Sequence, residues 1–118
     1  MNYDPSNIFA KVLRGEIPVT TVYENDFVLG FRDIAPQAPA HILLIPKAPL
    51  PCLADASNPD HAAVLGQLML AVGEVARQQG FAEDGFRVVI NNGARANQTV
   101  FHLHVHILAG RDFDWPPG

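Results

Sequence analysis

The sequence predicts an α+β fold: a largely antiparallel five-stranded sheet with one short and one long helix. Three observations predict it. Short apolar runs sit close together across tight polar turns, as in β-hairpins. Two stretches, one brief and one long, carry apolar residues at helical spacing. Strands and helices do not alternate in the regular way that parallel βαβ units require.

Taken in order, the short helix is expected over Asn7 to Arg14, capped by Ser6, with Ile8, Phe9, Val12 and Leu13 at helical spacing. Gly15 is a fitting terminator and Pro18 bars its continuation. Val19 to Glu24 reads as a strand, Asn25-Asp26 as a tight turn and Phe27 to Arg32 as the returning strand. Asp33 to Ala40, broken by Pro36 and Pro39, is a loop. His41 to Ile45 is almost continuously apolar, the mark of a central strand covered on both faces, and Pro46 ends it. Lys47 to Asn58 holds Pro49 and Pro51 and connects.

Asn58 or Ser57 caps the long helix, Pro59 is its first residue and Gly80 lies just past its end. Val64, Leu65, Leu68, Met69, Val72, Val75 and Ala76 share one apolar sector, opposite Gln67, Glu74, Arg77 and Gln78. Leu70 falls among the polar residues and His61 in the first turn, both expected to face solvent. Phe86 to Ile90 is a fourth strand, Asn91 to Asn97 a polar loop, and Asp112 to Gly118 a tail too rich in proline for helix or strand.

The fifth strand is expected over Gln98 to Leu108, and the chemistry collects there. His102, His104 and His106, three of the five histidines, alternate with Leu103, Val105 and Ile107. On a strand, alternate side chains share a face, so the imidazoles would line one side and the aliphatic residues enter the core. Imidazole can serve as nucleophile, acid, base or metal ligand near neutral pH. Asn97, Gln98 and Thr99 precede the row, and Asn91 ends the neighbouring strand; all four can bind oxyanions. No carboxylate lies close in sequence, whereas catalytic zinc sites usually hold one as ligand or base. Residue types alone leave metal binding and anion or phosphate chemistry both open.

Composition narrows the classes. A chain of 118 residues is one domain in length, and 48% hydrophobic content supports an ordinary core. A net charge of −4 without a Lys/Arg cluster argues against long nucleic acid, though not against a single nucleotide. Cys52 is the one cysteine, which leaves no intramolecular disulfide and points to a reducing compartment; between Pro51 and Leu53 it reads as a small apolar residue. The first residues lack the basic-then-apolar pattern of a secretion signal, and no apolar run reaches a membrane span. The expected location is the cytoplasm.

His102-Leu103-His104-Val105-His106-Ile107-Leu108 matches the His-φ-His-φ-His-φ-φ signature of the histidine-triad (HIT) superfamily, where φ is hydrophobic. Ile8-Phe9, Gly15-Glu16-Ile17-Pro18, Phe31 to His41 and Ile45-Pro46 extend the likeness along the chain. Trp115-Pro116-Pro117-Gly118 is similar to the end of the Hint branch, the purine nucleoside phosphoramidases. The resemblance implies a HIT-like fold over residues 1–118, no cofactor or metal, and a homodimer whose tail, with Trp115, reaches the partner's site. It implies that His104 attacks the α-phosphorus of an adenosine or guanosine 5′-phosphoramidate, giving a nucleotidyl-histidine. His106, Asn91, Gln98 and Thr99 would contact the phosphate. His102 and His41 would relay protons, and Asp33 would accept hydrogen bonds from the ribose. Ile8, Phe9, Val12, Phe31 and Ile34 would wall the base pocket. Asn97 stands where the branch usually has glycine, and Thr99 where serine is common; asparagine tolerates the left-handed backbone such a turn needs.

Overall fold

Hydrogen bonding along five short extended segments builds a single sheet, described for residues 1–118 by a computed structural model. The elements are α1 (Ile8–Leu13), β1 (Thr21–Glu24), β2 (Val28–Arg32), β3 (Ala40–Pro46), α2 (Pro59–Gln79), β4 (Phe86–Val89) and β5 (Val105–Ala109), with single 3₁₀ turns at Leu53–Asp55 and Ala94–Ala96. The strands lie in the order β1-β2-β3-β5-β4, and each neighbouring pair is antiparallel. The expected α+β fold is the one found.

Period-two alternation decides what each face of the sheet carries. Val28, Ile42, Leu44, Val105, Ile107 and Ala109 turn to α2, where Leu68, Val72, Val75 and Ala76 complete a cluster of fourteen buried residues. Leu29, Phe31, Leu43 and Ile45 turn the other way, onto Phe9 and Val12 of α1, in a cluster of six. Burial of these side chains is worth roughly 1.5–3 kcal/mol each, so the larger cluster carries most of the hydrophobic stabilisation. Gly30 sits where strands crowd: a Cβ there would lie 2.7 Å from Leu44 Cδ2.

The long helix is as expected, with the Asn58 side chain accepting from the His61 N–H, Pro59 first and Gly80 left-handed at φ +83. Leu70 is exposed, and so in large part is Met69, at the margin of the apolar sector. His61 does more than face solvent: its Nδ1 accepts from the Ser57 N–H.

Several boundaries differ from expectation: β2 begins at Val28, β3 runs Ala40–Pro46 and so takes in the proline expected to end it, and β4 stops at Val89. Asn7, not Ser6, caps α1, its side chain accepting from the Ala10 N–H, because the Ser6 hydroxyl is spent on Asp4. β1 begins at Thr21 rather than Val19. Most consequentially, β5 begins at Val105, not Gln98. Its last rung pairs Val105 with Leu44; beyond it β3 reaches Pro46, which has no N–H to offer and whose carbonyl is taken by the His102 ring. The chain before Val105 is instead held by a bond from the Leu103 N–H to the Leu50 carbonyl.

Candidate active site

Alternation survives the end of the strand. Leu103, Val105 and Ile107 are buried against α2, while His104 and His106 meet on the α1 side with ring centroids 5.2 Å apart. Phe9 lies edge-on to His104 at 4.9 Å and, more distantly, to His102 at 6.5 Å. His41, brought alongside by the β3–β5 pairing, has its ring 5.2 Å from that of His106.

Burial sets the protonation of this group. His102 and His104 are held below the usual histidine range chiefly by loss of water, against the opposing pull of the carbonyls they bond. His41 is likewise lowered by burial, with the Asp33 carboxylate pulling the other way. His106 is pushed down to about 4, by burial first and then by His104 and His41 beside it. At neutral pH all four rings are uncharged, so each carries one N–H and one lone pair.

The hydrogen bonds then assign which nitrogen holds the proton. A carbonyl can only accept, so His104, with Nδ1 2.8 Å from the His102 oxygen, has its proton on Nδ1 and a free lone pair on Nε2. His41 Nδ1 accepts from the Gln37 N–H, so His41 Nε2 carries the hydrogen and donates it to His106 Nδ1 at 2.9 Å. The remaining nitrogen of His106, Nε2, is therefore a donor. Asp33 Oδ2 lies 3.4 Å from His41 Nε2, while its Oδ1 accepts from the Ala35 N–H. His102, fully buried, donates from Nε2 to the Pro46 carbonyl at 2.7 Å and accepts at Nδ1 from the Tyr3 hydroxyl at 2.6 Å. Neither nitrogen of His102 reaches another triad ring, so the proton relay expected of it has no path in these contacts. One surface thus presents a nucleophilic lone pair at His104 beside a hydrogen-bond donor at His106. That combination suits attack on an oxyanion-bearing electrophile.

A HIT domain model matches residues 14–113. The chain belongs to the HIT family. Its curated relatives include an uncharacterized HIT-like protein of Synechocystis, 60% identical over 94% of this chain and 96% of that one. The purine nucleoside phosphoramidase of Escherichia coli K12 is 45% identical over 88% of this chain and 87% of its own. The solved HIT family hydrolase from Legionella pneumophila superposes with a TM-score of 0.91 at 41% identity, covering 96% of this chain and 100% of that one. These likenesses place the chain in the Hint branch of the superfamily, among hydrolases.

The other expected residues of this HIT protein are placed unevenly. Phe9, Val12 and Phe31 belong to the small buried cluster, Ile8 is half-exposed, and Ile34 is 99% exposed. Thr99 is exposed and Asn91 half-buried. Gln98 is buried, and its amide is occupied: Nε2 donates to the Pro51 and Val100 carbonyls, and Oε1 accepts from the Gly93 N–H. It fastens the turn that Asn97 enters at φ 64, the left-handed backbone expected of that position. Trp115 is 83% exposed on a tail anchored by Phe113, whose ring lies 4.2 Å from the Arg111 guanidinium and 5.1 Å from that of Arg87. Arg87 also donates to the Asp114 carbonyl.

Sequence reading missed Tyr3, the Gln37 N–H and the Pro46 carbonyl. The last two are backbone groups with no residue signature. Tyr3 carried one faint signal, an amphipathic ring just ahead of a short helix. Asp33, His41 and His106 also form a group whose ligand atoms lie within 4.8 Å of one another, close enough to share a cation. No helix is long and apolar enough to cross a membrane.

Proposed function

We propose that this HIT protein hydrolyses adenosine and guanosine 5′-phosphoramidates at the P–N bond, without a metal. The free Nε2 lone pair of His104 carries this reading. It would attack the α-phosphorus, forming an N–P bond as the P–N bond of the substrate breaks. The imidazolium charge that develops on His104 falls beside the His102 carbonyl already bonded to Nδ1. His106 Nε2–H would hydrogen-bond the departing nitrogen, which takes its proton from solvent as the P–N bond breaks. Water would then attack the nucleotidyl-histidine, give up its proton to solvent, release the nucleoside monophosphate and free His104.

His106 and Asn91, with Thr99 from the turn, would bear on the non-bridging oxygens, and Gln98 would serve by holding the turn. His41 and Asp33 orient His106, and Asp33 remains the acceptor for the ribose hydroxyls. The base would lie against Ile8, Phe9 and Ile34. Residues 1–118 would work as one domain, in a cytoplasmic homodimer whose Trp115 borders the partner's site. The phosphoramidase name of the E. coli relative supports the substrate class.

A second reading is a non-catalytic adaptor binding a nucleotide or zinc in this pocket, which the Asp33-His41-His106 group favours. A third is a dinucleoside polyphosphate hydrolase. Turnover of adenosine 5′-phosphoramidate in the presence of a strong chelator separates them: sustained hydrolysis is expected, and none with restoration by zinc would overturn the proposal.

A further inference from the structure

The N-terminal segment enters the site from outside the sheet. Asp4 organises it: its Oδ1 accepts from both the N–H and the hydroxyl of Ser6, and its carbonyl accepts from the Asn7 N–H and side-chain amide. That turn leads into α1, so Tyr3 and Phe9 descend on the histidines from one short stretch of chain. Tyr3 lies edge-on to His102, with centroids 5.6 Å apart and rings at 69°.

Its hydroxyl has one direction in which to act. His102 spends its only N–H on the Pro46 carbonyl, so its Nδ1 can only accept, and Tyr3 must donate. The ring, fully buried, is thereby gripped at both nitrogens. The carbonyl of the same residue fixes the His104 tautomer. If the His102 ring were loosened, its backbone would be free to turn, and His104 could move its proton to Nε2. The lone pair would then face the wrong way.

We propose that Tyr3 is a positioning residue: its hydroxyl clamps His102, and through the His102 carbonyl keeps His104 with Nε2 unprotonated. The role rests on His104 being the nucleophile, but the clamp itself can be read without turnover.

The test is Tyr3→Phe, which keeps the ring contact and removes the donor, together with Asp4→Ala, which keeps the donor and loosens its support. In Tyr3→Phe, kcat for adenosine 5′-phosphoramidate should fall about tenfold while KM and AMP affinity stay within about twofold. Asp4→Ala should show a smaller fall of the same kind. Histidine nitrogen NMR should show His104 in one tautomer in the native chain and in a mixture in Tyr3→Phe. A single unchanged His104 tautomer in Tyr3→Phe would overturn the clamp, as would a raised KM at constant kcat, which would mean that Tyr3 touches substrate. A native protein inert toward phosphoramidates would instead strike at the proposed function, and the NMR comparison would still decide the clamp.

Discussion

His41 and His106, on neighbouring strands, share a single hydrogen across 2.9 Å, and the Gln37 N–H at the far side of His41 decides who holds it. Because His41 donates, His106 must show its own N–H outward. Burial first, and then the His104 and His41 rings beside it, make His106 resist charging, with the Asp33 carboxylate pulling the other way.

That resistance makes stability depend on pH. The unfolded chain takes up a proton at His106 near the ordinary 6.5, whereas the folded chain does so only near 4. Above 6.5 neither state holds it, and the fold keeps its full stability. As pH falls through this window the unfolded state gains, by up to about 3 kcal/mol at the lower end from this one group. Denaturant midpoints measured between pH 7.5 and 4 should fall monotonically, and a His106→Gln chain should lose much of the slope.

Activity should follow the same sign. His104 titrates below the usual histidine value, so its lone pair remains available at and somewhat below pH 6.5. The kcat/KM profile for adenosine 5′-phosphoramidate should be flat from pH 8 down to that region and bend only in more acid solution. A bend above pH 7 would contradict a neutral, buried nucleophile.

Replacing His104 by alanine should reduce turnover by about a thousandfold or more, with AMP affinity nearly intact. Rapid neutral quench and intact mass should show one added nucleotidyl group on the native chain and none on the variant. Near-normal kcat in His104→Ala would remove the covalent route.

Asp33→Asn is a clean probe, since asparagine can still accept the Ala35 N–H through its oxygen and keep the turn. Affinity for ribonucleotides should drop about tenfold to a hundredfold, and far less for their 2′-deoxy analogues. Equal losses would make Asp33 a turn residue and a partner of His41 only.

The tail can be tested by sedimentation and truncation. A mass near twice 12.8 kDa is expected at micromolar concentration. Removing residues 114–118 should change the preference among phosphoramidates with bulky leaving groups more than it changes the simplest substrate. A monomer, or an unaltered profile, would refute the shared site.

Local patterns announced most of the fold and only part of the site. The cap, first proline and terminal glycine of α2 are chemical signals confined to a few neighbouring residues, so they could be read directly. The histidine alternation put His104 and His106 side by side on one face, as found, but overstated the strand. What stops β5 is Pro46, remote in sequence and opposite only once the sheet has formed. Gln98 teaches the same lesson. Beside three histidines it reads as a ligand for phosphate, yet Pro51 arrives from another loop to claim its amide. Tautomers were beyond reach altogether, because carbonyl directions leave no trace in residue type.

The two unequal clusters separate durability from chemistry. The fourteen-residue side, pressed on α2, holds no histidine, and the smaller side toward α1 is where the reactive rings gather. Changes that retune the reaction fall on the thinner layer, while the thicker one goes on specifying the fold. Such a molecule has room to change the lining of its pocket without first risking its own architecture.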